Sequence, residues 1–448
     1  MRIHELHLKN FRCFDELTIN FSTPYTVLIG INGSGKSSIL DALRIVMDDF
    51  ASSARYDARK GSVFINSIKV HDLIKPQDYI KLQDSDAKIK SVIAGSTINK
   101  ESQYPATVSV TTEFSSGQSL SWTHELFAHS SLKNSGVNEV GTHVRDLQQR
   151  ISNDECVTCP VIVYYGTRRQ WDKSGGSKPP EISFLSQMNG YVNCLSAQPF
   201  NIEVMRHWFA RMLLIERKKP VPEFQAVRTA IANCYKNIVD SNELQDVKID
   251  YDAEAEDIEI QQTFANGNSE ILPLHYLSDG AKSILAVASD IAYRMAVLNP
   301  HLLGNVTEET DGVVLIDEID MHLHPSWQQK VVESLHKTFP KVQFILTTHS
   351  PTVLTNVPKE NIRVLNAGEI YTPPVNTKGR DVNSILREIM NTDIRPADVD
   401  NKLNDFAKAV EAEDLNAAQQ ILDELREQLG DTDSEVIGAQ VTLDLERI

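Results

Sequence analysis

Five cysteines in 448 residues are too few for a disulfide framework. Only Cys156 and Cys159 stand as C-x-x-C. With no second pair and no paired histidines at zinc spacing, they read as two reduced thiols near a strand. No run of about 18 apolar residues occurs and no charged-then-apolar leader opens the chain, so a cytoplasmic protein with no membrane association is expected. Internal repeats are absent, which excludes a solenoid, and no heptad stretch is long enough for an extended coiled coil. Positive charge is also short: 44 Lys and Arg face 61 Asp and Glu, a net charge of −17. That balance excludes a protein that coats nucleic acid over most of its surface, yet leaves cations enough for a local basic groove.

What is present is ordinary globular material, 41% apolar and 23% charged, long enough for two or three domains. IHELHL and LTINF alternate as short strands before the apolar run YTVLIG. TVSVTTEF and SLSWTHEL flank the turn SSGQ as a hairpin, and VKIDYDAEAEDIEIQQ alternates like paired strands. PVIVYYGT, GVVLIDE and VQFILTTH read as buried parallel strands that deliver polar residues at their C-terminal ends. Residues 51–103 and 126–155 are polar and loop-rich, and are read with 171–240 as variable insertions; 201–217 and 222–239 carry helical periodicity. From about residue 381 the chain turns helical and acidic. Leu415, Ala418, Leu422, Leu425 and Leu429 there form a stripe that must be covered by the chain's own head, another protomer or a partner.

The chemistry concentrates in three places. Gly30-Ile31-Asn32-Gly33-Ser34-Gly35-Lys36-Ser37 has the form G-x-x-x-x-G-K-[ST]. It lies between a buried strand and a helix that carries Ile39, Leu40, Leu43 and Met47 on one face. Glycines let backbone N–H groups turn inward around phosphate oxygens, and the helix points its positive end at them. Asn32, Gly33, Ser34, Gly35, Lys36, Ser37 and Ser38 are therefore candidate ATP contacts. Lys36 reaches the β- and γ-phosphates and Ser37 ligates Mg²⁺ in this reading. Asp317 and Glu318 end the strand VVLI, a pattern weak alone but strong below a phosphate loop: Asp317 would hold Mg²⁺, and Glu318 would deprotonate the attacking water. Leu277-Ser278-Asp279-Gly280-Ala281-Lys282 opens an apolar helix, where Ser278 and the Gly280 backbone offer a second anion site or an ordinary N-cap.

These motifs, in this order, resemble those of an ABC-type ATPase head, whose signature is commonly L-S-G-G-Q; Asp279, Ala281 and Lys282 depart from it. The resemblance covers about 1–50 and 270–370, with weaker support at 160–170. It implies an α/β fold: a mixed sheet with flanking helices and an antiparallel β lobe, a helical insertion and a helical C-terminal extension. It implies further that Ser278 and Gly280 close over the γ-phosphate held by a second protomer, that Asp320 lies in a loop crossing that interface, and that His349 senses the γ-phosphate. Asn10-Phe11-Arg12-Cys13-Phe14 resembles the N-F-R-x-F segment of the RecF and SMC branch, where the arginine approaches nucleotide; a surface turn is the alternative. Gln170, after Arg168 and Arg169, is the candidate for the glutamine loop and a further Mg²⁺ contact. His322 and His324 could suggest zinc, but no further ligand is near.

Within that branch the chain looks like PtuA, the ATPase of Septu and retron-associated antiphage systems. The likeness rests on LSDGAK, DEIDMHLHP, PVIVYYGTRR and GRDVNSILREIM with the acidic tail. It implies an ATPase head over about 1–370 and an acidic helical region over 371–448 for assembly or partner contact. It also implies a homodimer of heads or a higher oligomer, an HNH nuclease partner of the PtuB kind, and DNA in the complex. Nuclease chemistry in this chain is not expected, since the OLD-type Toprim residues are missing after His349. The alternative is a RecF-like repair ATPase or the ATPase subunit of a transporter.

Overall fold

The computed structural model describes residues 1–448 except 58–61, 64–79, 95–96, 129–130, 168–186, 198–201, 240–243 and 448. The chain forms two compact units, Met1–Arg380 and Asp381–Ile448.

The centre of the first unit is a six-stranded sheet. Its order is Val161–Tyr165, Gly312–Ile316, Val342–Thr347, Tyr25–Gly30, Ile362–Asn366 and Glu369–Tyr371. The first five strands are parallel and the last is antiparallel. Val161–Tyr165, Gly312–Ile316 and Val342–Thr347 are buried at every position, which is why they read as continuous apolar runs rather than alternations. In parallel strands all C-terminal ends share one edge, so the residues after Gly30, Ile316 and Thr347 emerge side by side.

An antiparallel lobe stands beside it, ordered Ser131–Ser135, Ser119–Phe127, Ala106–Glu113, Arg2–Phe11 and Phe14–Asn20. A third sheet pairs Leu244–Asp252, Asp257–Phe264 and Ser269–Pro273. The fold is thus an α/β P-loop ATPase head with a mixed sheet, an antiparallel lobe and helices between them.

Two stretches are more regular than their polarity suggested. The helix after the phosphate loop, Lys36–Arg55, runs into the region read as insertion, and Ile89–Ala94 pairs with Thr97–Ser102. Residues 126–155 hold a strand and a full helix, Val137–Ser152, anchored by the buried Val140, Val144 and Leu147. Three apolar residues at i, i+4 and i+7 suffice when the other faces stay in water.

In the second unit, helices Ala397–Glu411, Leu415–Leu429 and Ser434–Leu445 enclose Val399, Phe406, Ala418, Leu422, Leu425, Val436, Ala439 and Leu443. Asp414 and Asp433 accept hydrogen bonds from the first-turn N–H groups of Ala417 and Glu435, capping two of these helices. The stripe at Leu415, Ala418, Leu422, Leu425 and Leu429, expected to need a head, protomer or partner, is instead covered by its own two neighbouring helices. Residues on either side of the stripe supply the cover, because the chain turns back at Glu413–Asp414 and again at Gly430.

Candidate functional site

The phosphate loop is shaped by a close approach that only glycine permits at its centre. Gly35 has φ +101°, and a methyl group there would fall 2.4 Å from Phe14 Cζ and 2.6 Å from Cys13 Sγ. The turn of the first hairpin therefore presses on the loop from outside. Lys36 is buried, and its ammonium donates to the carbonyls of Gly30 at 2.8 Å and Ile31 at 3.0 Å. Burial pushes its pKa below the usual lysine range, against the pull of Asp317, Glu318 and Asp320. Asn32 and Gly33 are exposed at the loop's tip, and Ser38 is half-buried beside Cys13.

The carboxylates arrive from the neighbouring strand ends. The Ser37 hydroxyl donates to Asp317, with Oδ2 at 3.0 Å. Thr347 donates to Asp317 Oδ1 at 2.6 Å and accepts the Glu318 N–H at 2.7 Å. Glu318 itself sits at φ +50°, a left-handed conformation that costs a non-glycine residue roughly 1 kcal/mol and is held here by the Thr347 bond. Thr348 donates to Asp320 Oδ1 at 2.5 Å, and His349 follows, half-buried. Gln328 closes the loop from its far side: its amide donates to the carbonyls of Asp320 and Leu323, and its oxygen accepts from Ser350. Lys36, Ser37, Asp317, Glu318, Asp320 and His349, scattered over more than 300 positions, thus meet at one sheet edge.

The residues fit a Mg²⁺-bound nucleoside triphosphate. The Ser34 hydroxyl is buried in the loop and, among the described residues, has no hydrogen-bond partner. An orphaned donor of that kind is costly unless a ligand satisfies it. A buried lysine hydrogen-bonded to two backbone carbonyls, next to a serine–aspartate pair, completes an anion-and-cation pocket.

Ser278 and Gly280 open a helix beside the loop that follows Glu318. Ser278 caps the helix Asp279–Leu298, its hydroxyl accepting from the Ala281 N–H at 3.3 Å. At its twelfth residue that helix is tied to the edge strand Val161–Tyr165, where the Tyr165 hydroxyl donates to Asp290 at 2.8 Å, and Arg294 pairs with the same Asp290 from within the helix at 2.9 Å. The edge strand is three steps from the phosphate-loop strand, roughly 14 Å at ordinary strand spacing. Gly280 packs against the loop after Glu318, and a methyl group on it would fall 2.6 Å from the His322 carbonyl oxygen.

Arg12 points into a pair of carboxylates, Asp41 at 2.7 Å and Asp86 at 2.9 Å. Gln170 lies outside the described residues. His324 accepts the Ser326 N–H and caps a short helix, and among the described residues no group of three or more His, Cys, Asp or Glu is gathered around a metal position. Sequence reasoning missed Thr347, Gln328 and the Cys13–Phe14 brace. Only Thr347 had a legible signal, as a polar residue ending a buried strand.

Comparison with known proteins gives the family. A family model described as AAA domain matches residues 5–271, and a second AAA-domain model matches 207–355. The chain belongs to this AAA-domain ATPase family. The Retron Ec83 probable ATPase of Escherichia coli is 26% identical over 454 residues, spanning 88% of this chain and 77% of that one. The Retron Vc95 probable ATPase of Vibrio cholerae is 27% identical, spanning 88% and 80%. Septu protein PtuA of Bacillus mycoides is 40% identical over 137 residues, 31% of this chain and 18% of that one. The chain is thus similar to retron ATPases over most of its length and to PtuA over about a third of it. Among the described residues no helix is long and apolar enough to cross a membrane.

Proposed function

We propose that this chain is the ATP-hydrolysing regulatory subunit of an antiphage defence complex. Its head holds one half of a composite site that a second copy completes, and the nucleotide state of the paired heads controls a nuclease partner. The observation that supports the composite site is the exposed Ser278, whose hydroxyl caps its own helix and, among the described residues, makes no hydrogen bond to the phosphate loop. In this reading Ser278 is left open to a γ-phosphate bound to another copy.

In this reading the loop N–H groups, the Ser34 hydroxyl and Lys36 bind the phosphates, and Ser37 and Asp317 hold Mg²⁺. Bound Mg²⁺ supplies charge neutralisation at the β- and γ-oxygens. Glu318, fixed through its N–H by Thr347, accepts the proton of the attacking water, and His349 orients the γ-phosphate. Asp320, pinned by Thr348, is presented to the other head. Arg12 reaches nucleotide only by leaving Asp41 and Asp86, and otherwise braces the loop's flank. The defence role and the nuclease partner are supported by the likeness to retron ATPases and PtuA.

The experiment is Glu318→Gln. The amide keeps shape but accepts no proton, so Mg·ATP binding should persist, turnover should fall at least roughly 100-fold, and ATP should trap paired heads. Turnover within a few-fold of wild type would move the base elsewhere.

A further inference from the structure

The last helix, Ser434–Leu445, has two apolar faces. Val436, Ala439 and Leu443 are buried inside the unit. Ile437, Val441 and Leu445 are 51%, 53% and 65% exposed, and their spacing of four places them in one stripe. At about 100° per residue the stripe is centred nearly opposite the buried face. Water therefore meets a continuous apolar ridge, where an ordinary surface helix is polar.

Two further features shape that ridge. Gly438 lies on its edge with nothing within 4 Å of where a side chain would begin, so among the described residues no contact calls for glycine there. It leaves a notch through which another backbone can approach. The rims are acidic, with exposed Glu435 on one side and exposed Asp444 on the other. The whole unit, 381–448, carries 17 acidic against 6 basic side chains, a net −11 of the chain's −17.

Charge decides what covers such a ridge. A second copy would set its own acidic rims against these within a screening length of about 8 Å, and nucleic acid would bring phosphates to the same rims. A basic protein gains both apolar burial and complementary charge. Proteins whose surface is evolved to hold phosphate backbones present that charge. We propose that the helix Ser434–Leu445 is the docking face for a basic, nucleic-acid-binding protein, which it engages on the surface that would otherwise hold nucleic acid. This rests on the reading of the chain as the regulator of a nuclease.

The test uses full-length protein and a purified HNH nuclease of the PtuB kind, with affinity measured in 0.1 and 0.5 M salt. The double variant Val441→Asp/Leu445→Asp should bind roughly 100-fold more weakly, since two central apolar contacts are lost. Its ATP turnover and circular dichroism should match wild type, because no residue of the head is changed. Glu435→Lys/Asp444→Lys should also weaken binding, with a shallower salt dependence, and a short DNA duplex should compete with the wild-type chain. Equal binding by the stripe variant would overturn this docking face while leaving the nuclease reading intact. Failure of the wild-type chain to bind the nuclease would overturn both. A native mass showing self-association that the stripe variant abolishes would assign the ridge to a second copy and overturn the proposal.

Discussion

Gly280→Ala separates two roles for a glycine in the LSDGAK turn. If Gly280 only lets a phosphate approach from another head, alanine should leave the isolated chain unharmed. On an open helix surface it would even stabilise by about 0.5–1 kcal/mol. The structure puts the added methyl 2.6 Å from the His322 carbonyl oxygen, and backbone cannot rotate aside as a flexible side chain can. Restoring an ordinary contact near 3.4 Å requires a shift of about 0.8 Å, and overpacking of this kind costs about 1–3 kcal/mol. The net effect is a loss of up to about 2 kcal/mol. The displaced loop carries Glu318 and Asp320, and a misplacement near 1 Å costs on the order of 100-fold in rate. Gly141→Ala is the internal control. It lies in the helix Val137–Ser152, and its methyl would meet only Ser53 Oγ at 3.7 Å. Thermal unfolding without nucleotide should show the two midpoints moving in opposite directions, Gly141→Ala up and Gly280→Ala down. Turnover should fall in Gly280→Ala alone, with triphosphate affinity of the single head changed by less than a few-fold. A Gly280→Ala protein with raised stability and near-normal turnover would refute the close contact and its consequence.

Lys36→Ala should abolish tight ATP binding in equilibrium titration. Mixed with Ser278→Arg under conditions of subunit exchange, it should recover part of the hydrolysis that neither variant shows alone, and no recovery would count against composite sites. Thr347→Val keeps the strand's shape but removes the donor to Asp317 and the acceptor of the Glu318 N–H, so stability should fall by about 1–3 kcal/mol in denaturant titration. Its turnover should drop further than its ATP affinity. Asp48 is pushed up to about 6, chiefly by burial and against the pull of Arg55. Between its ordinary 3.8 and about 6 the folded state keeps a proton that the unfolded state releases, so this group's contribution to stability is lost as pH rises through that window. Asp48→Asn should flatten the melting temperature between pH 4 and 6; an unchanged slope would place the titration elsewhere.

The phosphate loop, the Asp317–Glu318 strand and the Thr347–Ser350 strand end were legible in the sequence because each is a short contiguous run. Its apolar strand and terminal polar residues report burial and edge directly. The hairpin around SSGQ and the paired strands near Asp257 were legible for the same reason, since alternation over eight residues is a local record of one wet face. The helix Val137–Ser152 was not, because five apolar residues among eleven others, only three of them buried, look like a loop until a surface to cover them is known. The acidic tail shows the same limit from the other side. Its leucine stripe announced burial, but whether the cover came from a head, a partner or the two adjacent helices depended on how the chain turned at Gly430.

Sequence by itself determined the kinds of group gathered at the candidate site: backbone amides and a lysine, a serine and an aspartate, and a glutamate. Tertiary structure alone decided what each group touches. Thr347 joins Asp317 to Glu318 because two strands 30 residues apart lie next to each other in register. Cys13 and Phe14 press on Gly35, Arg12 faces Asp41 and Asp86, and Gly280 meets His322, through a strand order that no local pattern encodes. Periodicity records only whether a side chain is buried. Which neighbour buries it is set by topology, since contacts between distant segments are selected together when the sheet assembles.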